Sequence, residues 1–360
     1  MSQIKICTFN TEWMYSIFGA EWTHWVPPTI PASFPGAIRG DIKLDPIADV
    51  HMLCRRLAGV IKGSRAQIIG IQEGPPRKDQ MEAFVKQFLN DDYVVYTSNS
   101  TTQTIHALVH KSVRHVITPW EVNLPGLPKP WEKVPYYPWG KIDVASRQEH
   151  NLFRHPLTLK LTTEAGKELY IMILHTKSKY SKLKTAQDWI DRKPEAILDA
   201  LDVRAKISAE LYRIRTILDI ELLNSPKPKS IVIMGDLNDG PFAELIESEF
   251  MIRNIIDELS GTLLNPDAYF HHAMQPDILR SAKTVRFPDP VQNGVIVEEL
   301  LDHVLLSPGI WQRTGDFRLK AGSCKVETDL YNQFDATTDA NSGRDQRPSD
   351  HKPVTFIMTY

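Results

Sequence analysis

The sequence predicts an α+β fold in which two packed β-sheets carry helices on their outer faces. Three observations lead there. Short apolar, β-branched runs such as residues 230–234 recur along the 360-residue chain and read as strands buried on both faces. Helical repeats punctuate them only occasionally. Residues 93–98 with 104–110, and 157–162 with 168–175, read as strand pairs joined by short connections, so hairpins lie inside the sheets.

The elements follow in order. Residues 4–9 form a strand that ends in Asn10, with Glu12 at strand spacing beyond it. Residues 13–39 hold Trp13, Tyr15, Phe18, Trp22, Trp25 and Phe34 among prolines with no period. Such a segment is a functional lid or a packed Ω-loop covering the domain's own core. Val50, Leu53, Leu57 and Ile61 mark a helix, residues 67–73 a buried strand ending in Glu73, and residues 78–89 a second helix. Residues 120–150 are again rich in Pro and Trp without period. The hairpin at 157–175 turns about Glu164-Ala-Gly166, and Pro194 opens a long helix that Asn224-Ser-Pro226 stops. Residues 263–298 are weakly patterned, 300–306 form a strand, 315–348 are polar and loop-like, and a last strand follows His351. No stretch reads as a linker. The expectation is a single domain over 1–360, with inserts near 13–45, 118–150, 262–298 and 313–348.

Composition narrows the function. With 42% hydrophobic residues the chain can bury a large core, and a formal charge of −2 rules out a global basic field, so any nucleic-acid site must be local. Cys7, Cys54 and Cys324 are too few and too scattered for a disulfide framework or a zinc pattern. There is no signal-peptide core and no run able to span a membrane. These features predict a cytoplasmic protein with no membrane association and no obligate protein partner.

Chemistry concentrates where strands end. Asp236 and Asn238, two apart after residues 230–234, leave the same face of an extended backbone. Alone they read equally well as a polar turn. Asn10, Glu12, Glu73, Arg154, His175, Asp302, Asp350 and His351 hold comparable positions, and together the set is rich in hard oxygen donors, with two imidazoles and no cysteine. Such donors suit Mg²⁺ or Mn²⁺, and an imidazole beside a carboxylate suits proton transfer near neutral pH. The combination describes hydrolysis of a phosphate ester.

The blocks Thr8-Phe-Asn10, Ile71-Gln-Glu73, Arg154-His-Pro156, Leu174-His-Thr176, Gly235-Asp-Leu-Asn-Asp239, Leu301-Asp302 and Ser349-Asp-His351 resemble, in order, those of the endonuclease/exonuclease/phosphatase superfamily. The resemblance spans the chain. It implies the deoxyribonuclease I-like four-layer sandwich, two largely antiparallel sheets flanked by helices. It further implies that Asn10 and Glu73 hold a divalent metal, with Glu12 in support and Asp350 as a further metal or water ligand. Asp236 and Asn238 would flank the attacking water, His175 and Arg154 would contact the scissile phosphate, and Asp302 would orient His351. Whether Asp236 or His351 is the base stays open. His303 departs from the aromatic or arginine that often follows Asp302 in relatives.

Lys177, Lys179, Lys182 and Lys184 follow His175 directly. Beside a phosphate-cleaving site they read as a track for a polyanion, although a solvated charged face is the plain alternative. With Trp22 or Trp25 as a stacking wall, they favour a nuclease acting on DNA or RNA. A small-molecule or lipid-headgroup phosphohydrolase is the alternative, and a silent binding module on the same scaffold would not need the intact acid, amide and histidine set.

Overall fold

The computed structural model describes residues 2–19, 24–27, 29–39, 42–100, 103–113, 115–242, 244–289, 291–339 and 342–360. Its longer strands are β1 (Gln3–Asn10), β2 (Ile68–Gly74), β3 (Tyr93–Thr97), β4 (Thr104–His110), β5 (Val116–Pro119), β6 (Leu157–Thr162), β7 (Glu168–His175), β8 (Ile231–Asp236), β9 (Asp302–Leu306) and β10 (Val354–Thr359). A seven-stranded sheet runs Arg318–Leu319, β10, β1, β2, β4, β3, with Lys325–Val326 also on β10. A six-stranded sheet runs His271–His272, β9, β8, β7, β6, β5.

Strand alternation sorts side chains into three layers of core. Ile4, Ile6, Ile68, Ile171, Ile173, Val232, Met234, Val304 and Phe356 fill the space between the sheets. Cys7, Phe9, Ile69 and Ile71 point the other way, into a layer shared with α1 (Val50–Ser64) and α2 (Lys78–Phe88). Met172, Leu174, Ile231 and Ile233 face α3 (Pro194–Leu223) and Ile255–Ser260. The result is helix, sheet, sheet, helix, the predicted four layers.

Local rules set the helix ends. Asp49 accepts from the Met52 amide at 2.7 Å to cap α1. Pro194 sits in the first turn of α3, where a missing N–H costs nothing.

The segments expected to lack structure contain local ribbons, Lys133–Tyr136 with Gln148–Asn151 and Val285–Asp289 with Val295–Glu299. Each ribbon is a two-stranded sheet of its own and is largely exposed, so no long apolar run marks it in the sequence. Residues 14–18 form a buried 3₁₀ turn.

Trp25 corrects the expectation of a substrate wall. It is 8% exposed, packs edge-on to Phe18 with ring centroids 4.9 Å apart, and donates its indole N–H to the Thr29 carbonyl at 2.7 Å. The segment therefore plugs the outer core here. Trp22 lies outside the described residues. Trp25→Ala is expected to cost about 3–5 kcal/mol of stability, read as a lower melting temperature, with the KM of the folded enzyme unchanged.

Candidate active site

Parity and strand direction assemble the site. β1 and β2 run parallel, as do β7 and β8, while β9 and β10 run antiparallel to their neighbours. The C-terminal ends of the first four and the N-terminal ends of the last two therefore meet at one rim. Asn10 continues the inward face of Ile4 and Ile6, His175 that of Ile171 and Ile173, and Asp236 that of Val232 and Met234. Asp302 is likewise on the inward face with Val304. His175, Asp236 and Asp302 stand side by side in register across the second sheet.

Hydrogen bonds tie the two sheets together at this rim. Asn10 Nδ2 donates to Asp236 Oδ2 at 2.8 Å and to Glu73 Oε1 at 3.3 Å. Glu73 Oε2 accepts from the Trp13 amide at 2.8 Å, and Asp236 Oδ1 accepts from the Asn238 amide at 2.8 Å. His175 Nε2 lies 3.8 Å from Glu73 Oε1 and 3.6 Å from Asp236 Oδ2. On the other side His351 Nδ1 donates to Asp302 Oδ2 at 2.7 Å, which turns Nε2 to within 3.8 Å of Asp236 Oδ2. Arg154 Nη1 and Asn238 Nδ2 donate to one carbonyl, that of Thr176, at 2.7 and 2.9 Å. Among the described residues that is the one hydrogen bond Arg154 makes, so its remaining N–H groups stay available for an anion.

The backbone is strained here. Glu12, Trp13, Glu73 and Asn238 have φ of 49°, 51°, 55° and 52°. Non-glycine residues avoid this left-handed region, and each such position costs on the order of 1–3 kcal/mol. At Glu73 the strain accompanies a register shift between β2 and β4 after Ile71, which breaks the alternation and swings the carboxylate toward Asn10. Gly235, at φ 144°, carries no side chain because a β-carbon would collide with the Leu174 carbonyl on the adjacent strand.

The electrostatics match a site short of positive charge. Burial, with the Asp350 charge second, pushes Glu73 up to about 7. Burial likewise pushes Asp236 up to about 6. For His351, burial opposes the charged form but is outweighed by Asp302, Asp236 and Asp350, which hold its proton well above the usual range. His175 goes the other way: burial and the Arg154 and His351 charges keep it neutral, and its Nδ1 is buried without a partner.

Ligand atoms of Glu73, His175 and Asp236 lie within 4.8 Å of one another. Two hard carboxylates and an imidazole fit a divalent cation, whose charge would relieve the proton-binding bias of Glu73.

Three predicted residues sit otherwise than expected. Both oxygens of Glu12 are taken by arginines, Arg344 Nε at 3.1 Å and Arg347 Nη2 at 2.7 Å, so its carboxylate braces the loop, while its amide donates to Asn10 Oδ1 at 2.9 Å. Asp350 is half-buried beside His351 and acts on Glu73 through charge, outside the ligand cluster. Lys179 is not a free charge for a polyanion: it pairs with Asp239 at 2.9 Å and with Glu244. Buried Asp239 can hold its charge only with Lys179 and Arg204 beside it. Lys177 stays near the centre, where burial and the Arg154 charge lower its pKa. Arg344 and Arg347 lie in a segment whose sequence reads as polar loop, and nothing in their spacing points to Glu12.

His303, the departure noted in the sequence, has a defined role. The Met274 amide donates to His272 Nδ1 at 3.1 Å, so His272 donates from Nε2 to His303 Nδ1 at 3.1 Å, and His303 Nε2 donates to the Asp239 carbonyl at 2.8 Å. This neutral chain anchors the turn that carries Asn238.

Two sheets packed face to face, flanked by helices and carrying these blocks at one rim, form the architecture that the sequence resemblance implies. Neither a protein-family model nor a curated protein sequence matches the chain. Similar solved structures include a humanized D. rerio TDP2 carrying 14 mutations, 12% identical, covering 100% of both chains with a TM-score of 0.47. An endonuclease/exonuclease/phosphatase from Bacteroides vulgatus is 11% identical, covering 100% of this chain and 99% of that one, with a TM-score of 0.47. A mannosyl-6-phosphatase from Bacteroides thetaiotaomicron is 12% identical, covering 99% and 100%, with a TM-score of 0.48. These are likenesses of overall shape and carry no residue role or substrate.

Proposed function

We propose that the protein hydrolyses phosphoric esters with Mg²⁺ or Mn²⁺, held by Glu73 and Asp236 with His175 or Asn10 completing the set. The observation that carries this reading is the convergence of Glu73, His175 and Asp236 opposite the unshared donors of Arg154. When bound, the cation polarises the phosphoryl oxygens and lowers the pKa of water. Arg154 and Asn238, aligned by the Thr176 carbonyl, bind two phosphoryl oxygens and hold the ester. Asp236, oriented by Asn10 and the Asn238 amide, accepts the proton of the attacking water. The new P–O bond forms from that water while the ester P–O bond breaks, and the departing alkoxide takes its proton from solvent water. His351, kept protonated by Asp302, steadies the charge that builds on phosphorus oxygens.

The favoured ester is a small one. The lysine run that suggests a nucleic-acid track loses Lys179 to buried ion pairs, leaving Lys177 beside the centre and Lys182 and Lys184 exposed. Purified protein is expected to release product from p-nitrophenyl phosphate or bis(p-nitrophenyl) phosphate with Mg²⁺ or Mn²⁺, to stop with EDTA, and to cleave plasmid and single-stranded DNA or RNA more slowly. Undiminished hydrolysis in chelator removes the metal, and faster cleavage of nucleic acid restores the nuclease reading.

A further inference from the structure

A cavity of about 420 Å³ opens beside the catalytic centre, with Asn238 in its wall. That volume lies within the usual range of small-molecule sites. Chain segments outside the sheets build it: residues 179–184, Ala200 and Arg204 of α3, the Leu245–Phe250 helix, and the Val285–Asp289/Val295–Glu299 ribbon. Val285 also bridges to His351, so the ribbon is tied to the centre itself.

The lining combines an apolar wall, Leu183, Phe287 and Leu301, with ionised groups; of its three cations, Lys184 lies over the Tyr180 ring at 4.8 Å and the other two are engaged by carboxylates. Lys179 is held by Asp239 and Glu244, and Arg204 by Asp239 at 3.3 Å and Glu247 at 3.0 Å. Asp289 is turned into its own hairpin, where it accepts from the Val291 amide at 2.8 Å and from Gln292. Glu299 is half-buried, and its carboxylate has no hydrogen bond or ion pair among the described residues, although its carbonyl accepts from the Thr284 amide at 2.8 Å. A carboxylate in this setting accepts hydrogen bonds and repels anions.

We infer that this cavity receives the organic half of the ester, that the group is uncharged, hydroxyl-bearing and of sugar size, and that Glu299 is the residue that selects it. The inference rests on the phosphoesterase reading of the adjoining centre. Hydroxyls donate to Glu299 while C–H faces lie on the apolar wall, and a second phosphate on the substrate is driven out.

The test compares glucose 6-phosphate, fructose 1,6-bisphosphate and phosphocholine with p-nitrophenyl phosphate, in the wild type and in Glu299→Lys. Wild type is expected to favour glucose 6-phosphate over the bisphosphate by at least about tenfold in kcat/KM, one decade being about 1.4 kcal/mol. Glu299→Lys should raise KM for glucose 6-phosphate about tenfold with kcat kept, and narrow the gap to the bisphosphate. Calorimetry with Asp236→Asn in both backgrounds reads binding of glucose 6-phosphate without turnover, and the same tenfold loss is expected there. Equal preference for the bisphosphate, a higher kcat/KM for phosphocholine, or unchanged glucose 6-phosphate binding in Glu299→Lys overturns the inference while p-nitrophenyl phosphate hydrolysis persists. Loss of all hydrolysis with selective binding intact instead overturns the phosphoesterase reading alone.

Discussion

Asp236→Asn and His351→Ala are each expected to lower kcat by about 10²-fold or more, since positioned proton transfer contributes roughly 10²–10⁴-fold and a donor that stabilises developing charge about 10²–10³-fold. The two residues face one another at 3.8 Å, and each is oriented from behind, Asp236 by Asn10 and the Asn238 amide, His351 by Asp302. The sign of the pH dependence follows. His351 acts while protonated, so kcat should fall as pH rises through its pKa, which the carboxylates of Asp302, Asp236 and Asp350 hold well above the usual range. Asp302→Asn removes one of these charges, so the alkaline limb of the kcat profile should move to lower pH. An alkaline limb that stays in place in Asp302→Asn shows that another group sets it, and wild-type turnover in both catalytic variants ends the assignment.

The second large effect concerns Glu73. Its folded value of about 7 lies above the ordinary 4.5, so the folded state binds the proton more tightly than the unfolded chain. The associated stability is present below 4.5 and is lost as pH rises to about 7. At about 1.36 kcal/mol per unit, ionising Glu73 without a cation costs about 3 kcal/mol. In EDTA at pH 8, Glu73→Gln should therefore be more stable than wild type. Adding Mg²⁺ at a hundred times its Kd should raise wild-type stability by about 2.7 kcal/mol and leave Glu73→Gln nearly unmoved. Denaturant titrations with and without the cation measure both. Equal Mg²⁺ stabilisation of the two proteins shows that the ion sits elsewhere.

Much of this centre is legible in the amino-acid order alone. Buried strands announce themselves by apolar, β-branched runs, and a period of two fixes which face a terminal residue continues. Asn10, His175, Asp236 and Asp302 each extend the inward face of their own strand, so their convergence needs only that the strand ends meet at one rim. The long helix Pro194–Leu223 is equally plain, with proline at its start and apolar residues at helical spacing.

Residues whose role depends on a partner far along the chain are not legible in this way. Glu12 follows Asn10 at strand spacing, but its φ of 49° ends the strand and its carboxylate meets Arg344 and Arg347, more than 300 residues away. Lys179 belongs to a lysine run that looks solvated in one dimension, yet it neutralises Asp239, buried because the turn after β8 folds beneath α3. Trp25 could have faced substrate or core, and Phe18 with the α1–α2 layer took it. Local pattern reports on backbone conformation and on which face is apolar, because both depend on neighbours in sequence. Charge pairing, burial of a single ring and the shape of the cavity beside Asn238 depend on which segments pack together, and only the folded chain decides that.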